Sequence, residues 1–300
     1  MIKTIAIIGA GSSAGAHWPG QEKAPEYLRK FGLIDKLKSK GLSVFDLGDI
    51  LISRYKPDPN NRSQQNLVNV LKVCKQVEEK VDKSIKQNIS PIIMGGDCTI
   101  SLGVINSFIH NHENLGVLYF DGHVDLNTPV TSQSGIFDSM GLAPIIGLSG
   151  TSNKLTHIGN RFPLIPKEKV VLFGYNPNEI NKTEHDALAD NNFVKYPLPD
   201  IRGKEKQSAY EAINYLESVT DGYLVHFDVD VIDFTDLPIA DVPQFSQGMM
   251  FKNVLECLSI FTSSKKFCGL IITELNPDHA DKEGMVINRF IKGLVKALFV

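Results

Sequence analysis

The stretch "GVLYFDGHVDLNTP" (Gly116–Pro129) runs from an unbroken apolar segment into three polar groups at alternate positions, Asp121, His123 and Asp125. Residues two apart in an extended chain point to the same side, so this pattern sends two carboxyls and an imidazole one way as the strand ends. The apolar part, Gly116–Phe120, shows no polar alternation. It therefore reads as a parallel strand covered on both faces rather than as one face of a meander. A buried strand whose end carries acids implies an open α/β sheet, in which ligand chemistry collects outside the carboxyl ends of the strands.

The same grammar repeats along the chain. Thr4–Ile8, Ser43–Leu47, Pro91–Met94, Val170–Phe173, Tyr223–Phe227 and Cys268–Thr273 read as further strands, several of them continuous apolar runs. Amphipathic helices separate them. The clearest is expected over 65–86, where Leu67, Val70, Leu71, Cys74, Val77, Val81 and Ile85 recur at three- and four-residue spacing. Cys74 is part of that stripe and is read as core. Phe251–Phe261 and Gly284–Leu298 are two more helices. The polar stretches "KPDPNNRSQQN" (Lys56–Asn66) and "PLPDIRGKEKQ" (Pro197–Gln207) read as surface loops, because the alternation resumes after each. No internal repeat interrupts it, so residues 1–300 are expected to form a single doubly wound α/β domain.

Composition narrows the function classes. The chain is 42% apolar and 22% charged with a net charge of −3, which supplies a core but not the basic excess of a nucleic-acid binder. No apolar run reaches bilayer length, and "MIKTIAIIGAGSS" reads as a first strand rather than a signal peptide. The four cysteines (Cys74, Cys98, Cys257, Cys268) have no CxxC spacing. The expectation is a cytoplasmic protein with reduced thiols, no membrane partner and no nucleic-acid partner.

A glycine-rich turn, "IAIIGAGSSAGAHWPG" (Ile5–Gly20), imitates a dinucleotide-binding motif. Such a motif needs a helix to carry the pyrophosphate at its N-terminus, and Pro19 and Gly20 would end any helix begun near Ser12. The acidic residue expected about 20 positions on is missing as well. The segment is read as a loop folding over the sheet edge. His17 and Trp18 in it are assigned to packing or solvent in preference to the cleft mouth.

Four strand ends aim chemistry at one rim: Asp121, His123 and Asp125 from one, Asp228 and Asp230 in "YLVHFDVDVID", Asp97 and Cys98 in "PIIMGGDCT", and Glu274 in "GLIITELNP". Carboxylates brought together in a dry cleft raise each other's pKa, and a divalent ion or a pair of them resolves the conflict. Four carboxylates and one imidazole suit a hard-to-borderline ion such as Mn²⁺. His226 alternates with Asp228 and Asp230, and is assigned a supporting or core role.

These segments resemble the ureohydrolase family of arginases, agmatinases and formiminoglutamases. "GGDCTIS" is similar to its Gly-Gly-Asp-His-Ser segment, and "DGHVDLNTPVTSQSG" to Asp-Ala-His-x-Asp followed by Asn-Thr-Pro and Ser-Gly. "HFDVDVID" resembles Ser-x-Asp-x-Asp-x-x-Asp-Pro, and "TELNP" resembles Glu-x-Asn-Pro; "APEYLRKFGL" and "VFDLGD" also look like family segments. The resemblance implies a three-layer α/β/α sandwich with a mainly parallel sheet of about eight strands, assembled as a homo-oligomer, a trimer or a hexamer. It implies two Mn²⁺ ions bridged by Asp121 and Asp228, with Asp125 and the Cys98 position on the first and His123 and Asp230 on the second. It further implies that Glu274 pairs with a substrate guanidinium and that Asn127, Ser132 and Ser134 hold a substrate carboxylate. The activity implied is metal-assisted hydrolysis of a guanidino compound, a water attacking the guanidinium carbon and urea leaving.

The chain departs from the family pattern at named positions. Cys98 replaces a ligand histidine, which makes the first ion weak, absent or of another kind. Asp138 stands at the position of a proton-shuttling histidine, and Ile136 replaces an asparagine. Asn176 stands where an aspartate binds the substrate amine, and no proline follows Asp233. The expected function is therefore an amidinohydrolase acting on a guanidino or amidine compound other than ordinary arginine. The alternative is a catalytically silent member of the fold that binds metal or regulates. Cys98 acting as a nucleophile is disfavoured, because a ring of carboxylates raises a thiol's pKa.

Overall fold

The computed structural model describes residues 4–159 and 161–298. Its sheet is built from β1 (Thr4–Gly9), β2 (Ser43–Asp49), β3 (Ser90–Met94), β4 (Leu115–Phe120), β5 (Val170–Phe173), β6 (Val194–Tyr196), β7 (Gly222–Asp228) and β8 (Phe267–Thr273). The spatial order is β2-β1-β3-β8-β7-β4-β5-β6, and every neighbouring pair is parallel.

Among the described residues ten α-helices accompany the strands: α1 (Ala24–Lys30), α2 (Leu33–Ser39), α3 (Leu67–Lys86), α4 (Ile100–Ile109), α5 (Asn153–Thr156), α6 (Lys182–Asn191), α7 (Leu198–Ile201), α8 (Glu205–Val219), α9 (Phe251–Ser263) and α10 (Met285–Ala297). They cover both faces of the sheet, and strand alternation divides the core accordingly. Leu118, Phe120, Val225, Phe227, Leu270 and Ile272 pack in one apolar cluster with α1, α2, α8, α9 and α10. Val117, Tyr119, Leu224 and Ile271 pack in the other with α3 and α4. Because both faces are buried, the central strands show no polar alternation. Phe120 sits against Phe173, Phe227 and Phe261 with ring centroids 5.6, 5.6 and 5.4 Å away. A ring buried this way is worth about 3–5 kcal/mol relative to alanine. The three-layer sandwich with an eight-stranded parallel sheet is thus as expected.

Three details differ from the sequence reading. An eighth strand, β6, lies at the sheet edge; its three residues include an outward Lys195 and form no apolar run. The stretch Pro197–Gln207 is not simply a loop, since α7 occupies Leu198–Ile201 and α8 begins at Glu205. Proline is accepted in the first turn of a helix, so Pro199 in "PLPDI" is compatible with α7. The glycine-rich segment after β1 does not fold over a sheet edge, because β1 is interior, between β2 and β3. It crosses the carboxyl end of the sheet beside β3. Ser12 Oγ donates to Asp97 Oδ2 (2.8 Å), Gly15 N donates to the same oxygen (3.2 Å), and Asp97 N donates to Ser12 O (3.0 Å). The glycines serve this approach: a Cβ on Gly96 would stand 1.7 Å from Ser12 O. Among the described residues, no helix is long and apolar enough to cross a membrane.

Candidate metal centre

The four strands that end in chemistry-bearing residues are neighbours in space. In the order β3-β8-β7-β4 they form the middle of the sheet. Register then sets the level of each group. Phe120 pairs with Phe227, and Asp228 with Thr273, so Asp121, Asp228 and Thr273 stand side by side with Glu274 one residue beyond. A cavity of about 230 Å³ opens over this rim, lined by Cys98, Asp121, His123, Asp125, Asp138, Asp228, Asp230 and Glu274 among others.

Three groups of donors among the described residues are close enough to hold an ion: Cys98, Asp138 and Glu274 form one, and the other two share Asp121. In one of these two, Asp121, His123 and Asp230 bring donor atoms within 4.8 Å of each other. His123 Nδ1 lies 2.7 Å from Asp230 Oδ2, whose other oxygen accepts from Gly122 N at 2.9 Å. Burial opposes charge on the imidazole, but Asp230 and Asp121 outweigh it and push the His123 pKa up to about 10. Burial likewise works against the Asp230 anion, and His123 overrides it to hold that carboxyl below its usual range. In the other set, Cys98, Asp121, His226 and Asp228 place their donor atoms equally close. Cys98 Sγ donates to Asp228 Oδ2 at 2.9 Å, and Asp228 Oδ1 accepts from Asp230 N at 2.8 Å. Burial, then the neighbouring Asp228 and Asp125, drive the Cys98 thiol well above its ordinary value, which argues against a nucleophilic thiolate.

Asp125 reaches the same cavity with its backbone in the left-handed region (φ 50°), and its Oδ2 accepts from the Tyr119 hydroxyl at 2.6 Å. Glu274 is also left-handed (φ 60°) and takes both its carboxylate hydrogen bonds from Gln21 Nε2, at 3.0 and 3.3 Å. A non-glycine residue at positive φ costs free energy, and such strain concentrates where a side chain must be aimed. Burial and mutual repulsion raise the carboxyls of Asp121, Asp125, Asp228 and Glu274. Crowding of this kind is what a divalent cation relieves. Asp121 Oδ2 is buried and has no hydrogen-bond partner, so the donor set fits a metal on an observation independent of the motif.

Of the remaining sequence candidates, Asp138 accepts from Cys98 N at 2.9 Å, and burial together with Asp97 raises its carboxyl to about 8. Asn127 lines the cavity, where its Oδ1 accepts from Asn181 Nδ2 at 2.9 Å. Ser132 and Ser134 stand outside the lining and contact each other, their hydroxyls 3.2 Å apart. Asn176 is buried behind it and donates to Gln247. His17, assigned to packing or solvent, is exposed and also borders the cavity mouth.

Sequence reasoning missed Glu179, Asn181 and Glu184, which also line the cavity. Asn181 and Glu184 form a capping box at the start of α6. The pattern "NKTE" signals that helix start, but not that it faces the cavity. The eight lining carboxyl residues meet no Lys or Arg in the lining among the described residues.

A sequence model of the Arginase family matches residues 3–294. The arginase of Bacillus subtilis (strain 168) is 30% identical over 303 residues, spanning 98% of this chain and 98% of its own. The arginase of Staphylococcus aureus (strain COL) is 30% identical over 280 residues, 92% of this chain and 90% of its own. Among solved structures, arginase from Bacillus cereus has a TM-score of 0.87 at 27% identity, covering 98% of both chains. Formimidoylglutamase from Bacillus subtilis has a TM-score of 0.74 at 17% identity, covering 98% and 88%, a likeness of fold alone. With the match extending over nearly its whole length and the fold shared, this chain belongs to the arginase family.

Proposed function

We propose that the protein is a Mn²⁺-dependent hydrolase that cleaves a non-peptide C–N bond in a linear guanidino or amidine compound other than unmodified arginine. The observation that carries the reading is the cavity wall: eight carboxyl residues, no Lys or Arg, and an unpartnered buried oxygen on Asp121. Such a wall attracts cations, both metal and substrate; its imidazoles are His17 at the mouth and His123, which is already paired with Asp230. Arginine carries an α-carboxylate. Of the groups the resemblance assigns to it, Asn127 lines the cavity but Ser132 and Ser134 lie off the wall, and the aliphatic Ile136 is part of it.

Asp121, His123, Asp125, Asp228 and Asp230, with the Cys98 position, would hold two divalent ions. When bound, the ions supply a water acidic enough to act as a nucleophile at neutral pH. Glu274, fixed by Gln21, presents a carboxylate edge to the planar guanidinium, a charge-assisted and directional contact. Asp138 is set on the cavity wall by Gly15 O and Cys98 N and is placed to hand a proton to the departing amine. Asn127 and Asn181, joined by their hydrogen bond, present amides toward the far end of the substrate.

The test is release of urea or its analogue from a guanidino panel that includes agmatine, guanidinobutyrate, methylated arginines and arginine, with Mn²⁺ added. Turnover of a cationic member in preference to arginine is expected. No turnover of any member, with metal bound, would favour the second reading, a silent metal-binding or regulatory protein; the replacement of two family histidines by Cys98 and Asp138 speaks for it.

A further inference from the structure

The histidine the family pattern places at position 98 has a counterpart elsewhere in this chain. His226 begins the segment "HFDVDVID" where that pattern begins with serine. Its ring is fully buried and stacks flat on Tyr119, with centroids 4.0 Å apart and planes 5° from parallel. The ring edge faces the acids: Nε2 lies 3.4 Å from Asp121 Oδ2 and 3.7 Å from Cys98 Sγ. The other nitrogen, Nδ1, lies 2.8 Å from the Ser101 hydroxyl at the start of α4.

We propose that His226 is the imidazole ligand of the first metal position, completing with Asp121, Asp228 and Cys98 a site whose histidine has moved from the loop after β3 to the strand β7. Four observations converge on it. The donor atoms of these four residues all lie within 4.8 Å of one another. Asp121 Oδ2 is buried and unpartnered although an imidazole nitrogen stands 3.4 Å away. Nε2 stands among Asp121 Oδ2, Thr273 Oγ1 (3.5 Å) and Cys98 Sγ without a close hydrogen bond to any of them, so its lone pair and the orphaned carboxylate oxygen face one another, as two ligands of one ion would. A ligating histidine fixes its ring by donating its other N–H, and Ser101 Oγ is in place to accept from Nδ1. Finally, the stack on Tyr119 leaves the ring little freedom to turn, so the lone pair is aimed before any ion arrives.

The two positions then differ in chemistry. The Asp121–His123–Asp230 set is oxygen-rich with one imidazole, whereas the His226 set adds a sulfur. A thiol-containing set with imidazole favours Zn²⁺, Fe²⁺ or Co²⁺ over Mn²⁺ at that place.

The inference rests on the metal-dependent reading above, and its test separates the two. Metal-free protein is titrated with Co²⁺, following heat by calorimetry and the visible absorption of the ion, for the wild type and for His226→Asn. Two binding steps are expected in the wild type. In the variant one should weaken by roughly 100-fold or more, since losing a ligand exceeds the 10–100-fold cost of losing its orienting partner. A melting curve of each metal-free protein shows whether the variant folds. Wild-type crystals soaked in Co²⁺ answer the question without it: the anomalous peak should lie about 2.1 Å from His226 Nε2. Two undiminished steps in His226→Asn, or an ion in the cavity with Nε2 beyond contact, overturn the assignment and leave the hydrolase reading standing. No Co²⁺ binding together with no turnover removes both.

Discussion

Replacing Gly96 by alanine probes the closest approach in the molecule that the site depends on. Gly96 follows β3, and a Cβ there would stand 1.7 Å from Ser12 O, half the 3.4 Å at which ordinary contact begins. The obstacle is backbone on the loop after β1, so no side-chain rotation relieves it. The loop must retreat, and three hydrogen bonds go with it: Asp97 N to Ser12 O, Ser12 Oγ to Asp97 Oδ2, and Gly15 N to the same oxygen. Asp97 is fully buried, and its carboxylate would keep only its bonds to Thr99. Each buried bond lost costs about 1–3 kcal/mol when its partner is left unsatisfied. Allowing for partial relaxation, the expected loss is about 3 kcal/mol. The loop also carries Gly15 O, which accepts from Asp138 N at 2.9 Å, so the cavity wall should shift with it. Urea unfolding at pH 7, followed by near-UV and far-UV signals, reads the stability. A Gly96→Ala protein within about 1 kcal/mol of wild type would show that the loop does not bear on Gly96, and would refute the account given for the glycine-rich segment.

Tyr119→Phe keeps the ring that stacks on His226 but removes the hydroxyl that donates to Asp125 Oδ2. It should weaken binding at the first metal position by about 10–100-fold, measured by calorimetry, while the other position is unchanged; equal weakening of both would contradict the separation of the two sets. On the surface, Arg29 grips Asp46 through Nε and a terminal nitrogen at 2.9 and 2.8 Å and holds that carboxyl below its ordinary 3.8. A depressed carboxyl lends stability that is present above pH 3.8 and vanishes as pH falls through the folded value. Because the pair is partly exposed, Asp46→Asn should cost only about 0.5–1 kcal/mol at pH 7, with the difference shrinking toward pH 3. Urea midpoints at both pH values check it, and a difference independent of pH would assign the effect to something other than the charge.

Six of the seven strands read from the sequence were legible because parallel strands buried on two faces are apolar almost throughout, and such runs stand out in any window; the seventh, β2, is an exposed edge strand. The edge strand β6 was not, since one side of Val194–Tyr196 meets solvent and three residues make no pattern. The acids were legible for a different reason: alternation at a strand end fixes direction, and direction is enough to predict convergence. His226 shows the limit of that logic. Its alternation with Asp228 was visible, yet its closeness to the acids depends on the pairing of β4 with β7, which sets His226 beside Tyr119. Register between strands separated by a hundred residues leaves no mark in either one. The same holds for Asn181 and Glu184, whose helix start is local information while its neighbour across the cavity is not.

The strand order has a consequence for how the molecule comes into being. β2-β1-β3 and β7-β4-β5-β6 are two part-sheets, and β8 alone joins them. Since β8 (Phe267–Thr273) is the last of these eight strands in chain order, a growing polypeptide holds both halves before it holds the weld. Until then β3 and β7 are open edges of bare amides and carbonyls, the kind of surface that recruits stray strands. Glu274 arrives with the weld, and only then are the acids of β4 and β7 drawn up beside Cys98. Capture of an ion by the Cys98-containing set therefore reports closure, whereas the Asp121–His123–Asp230 set is complete once β4 and β7 pair, so an excess of the ion during refolding should reach that second set first.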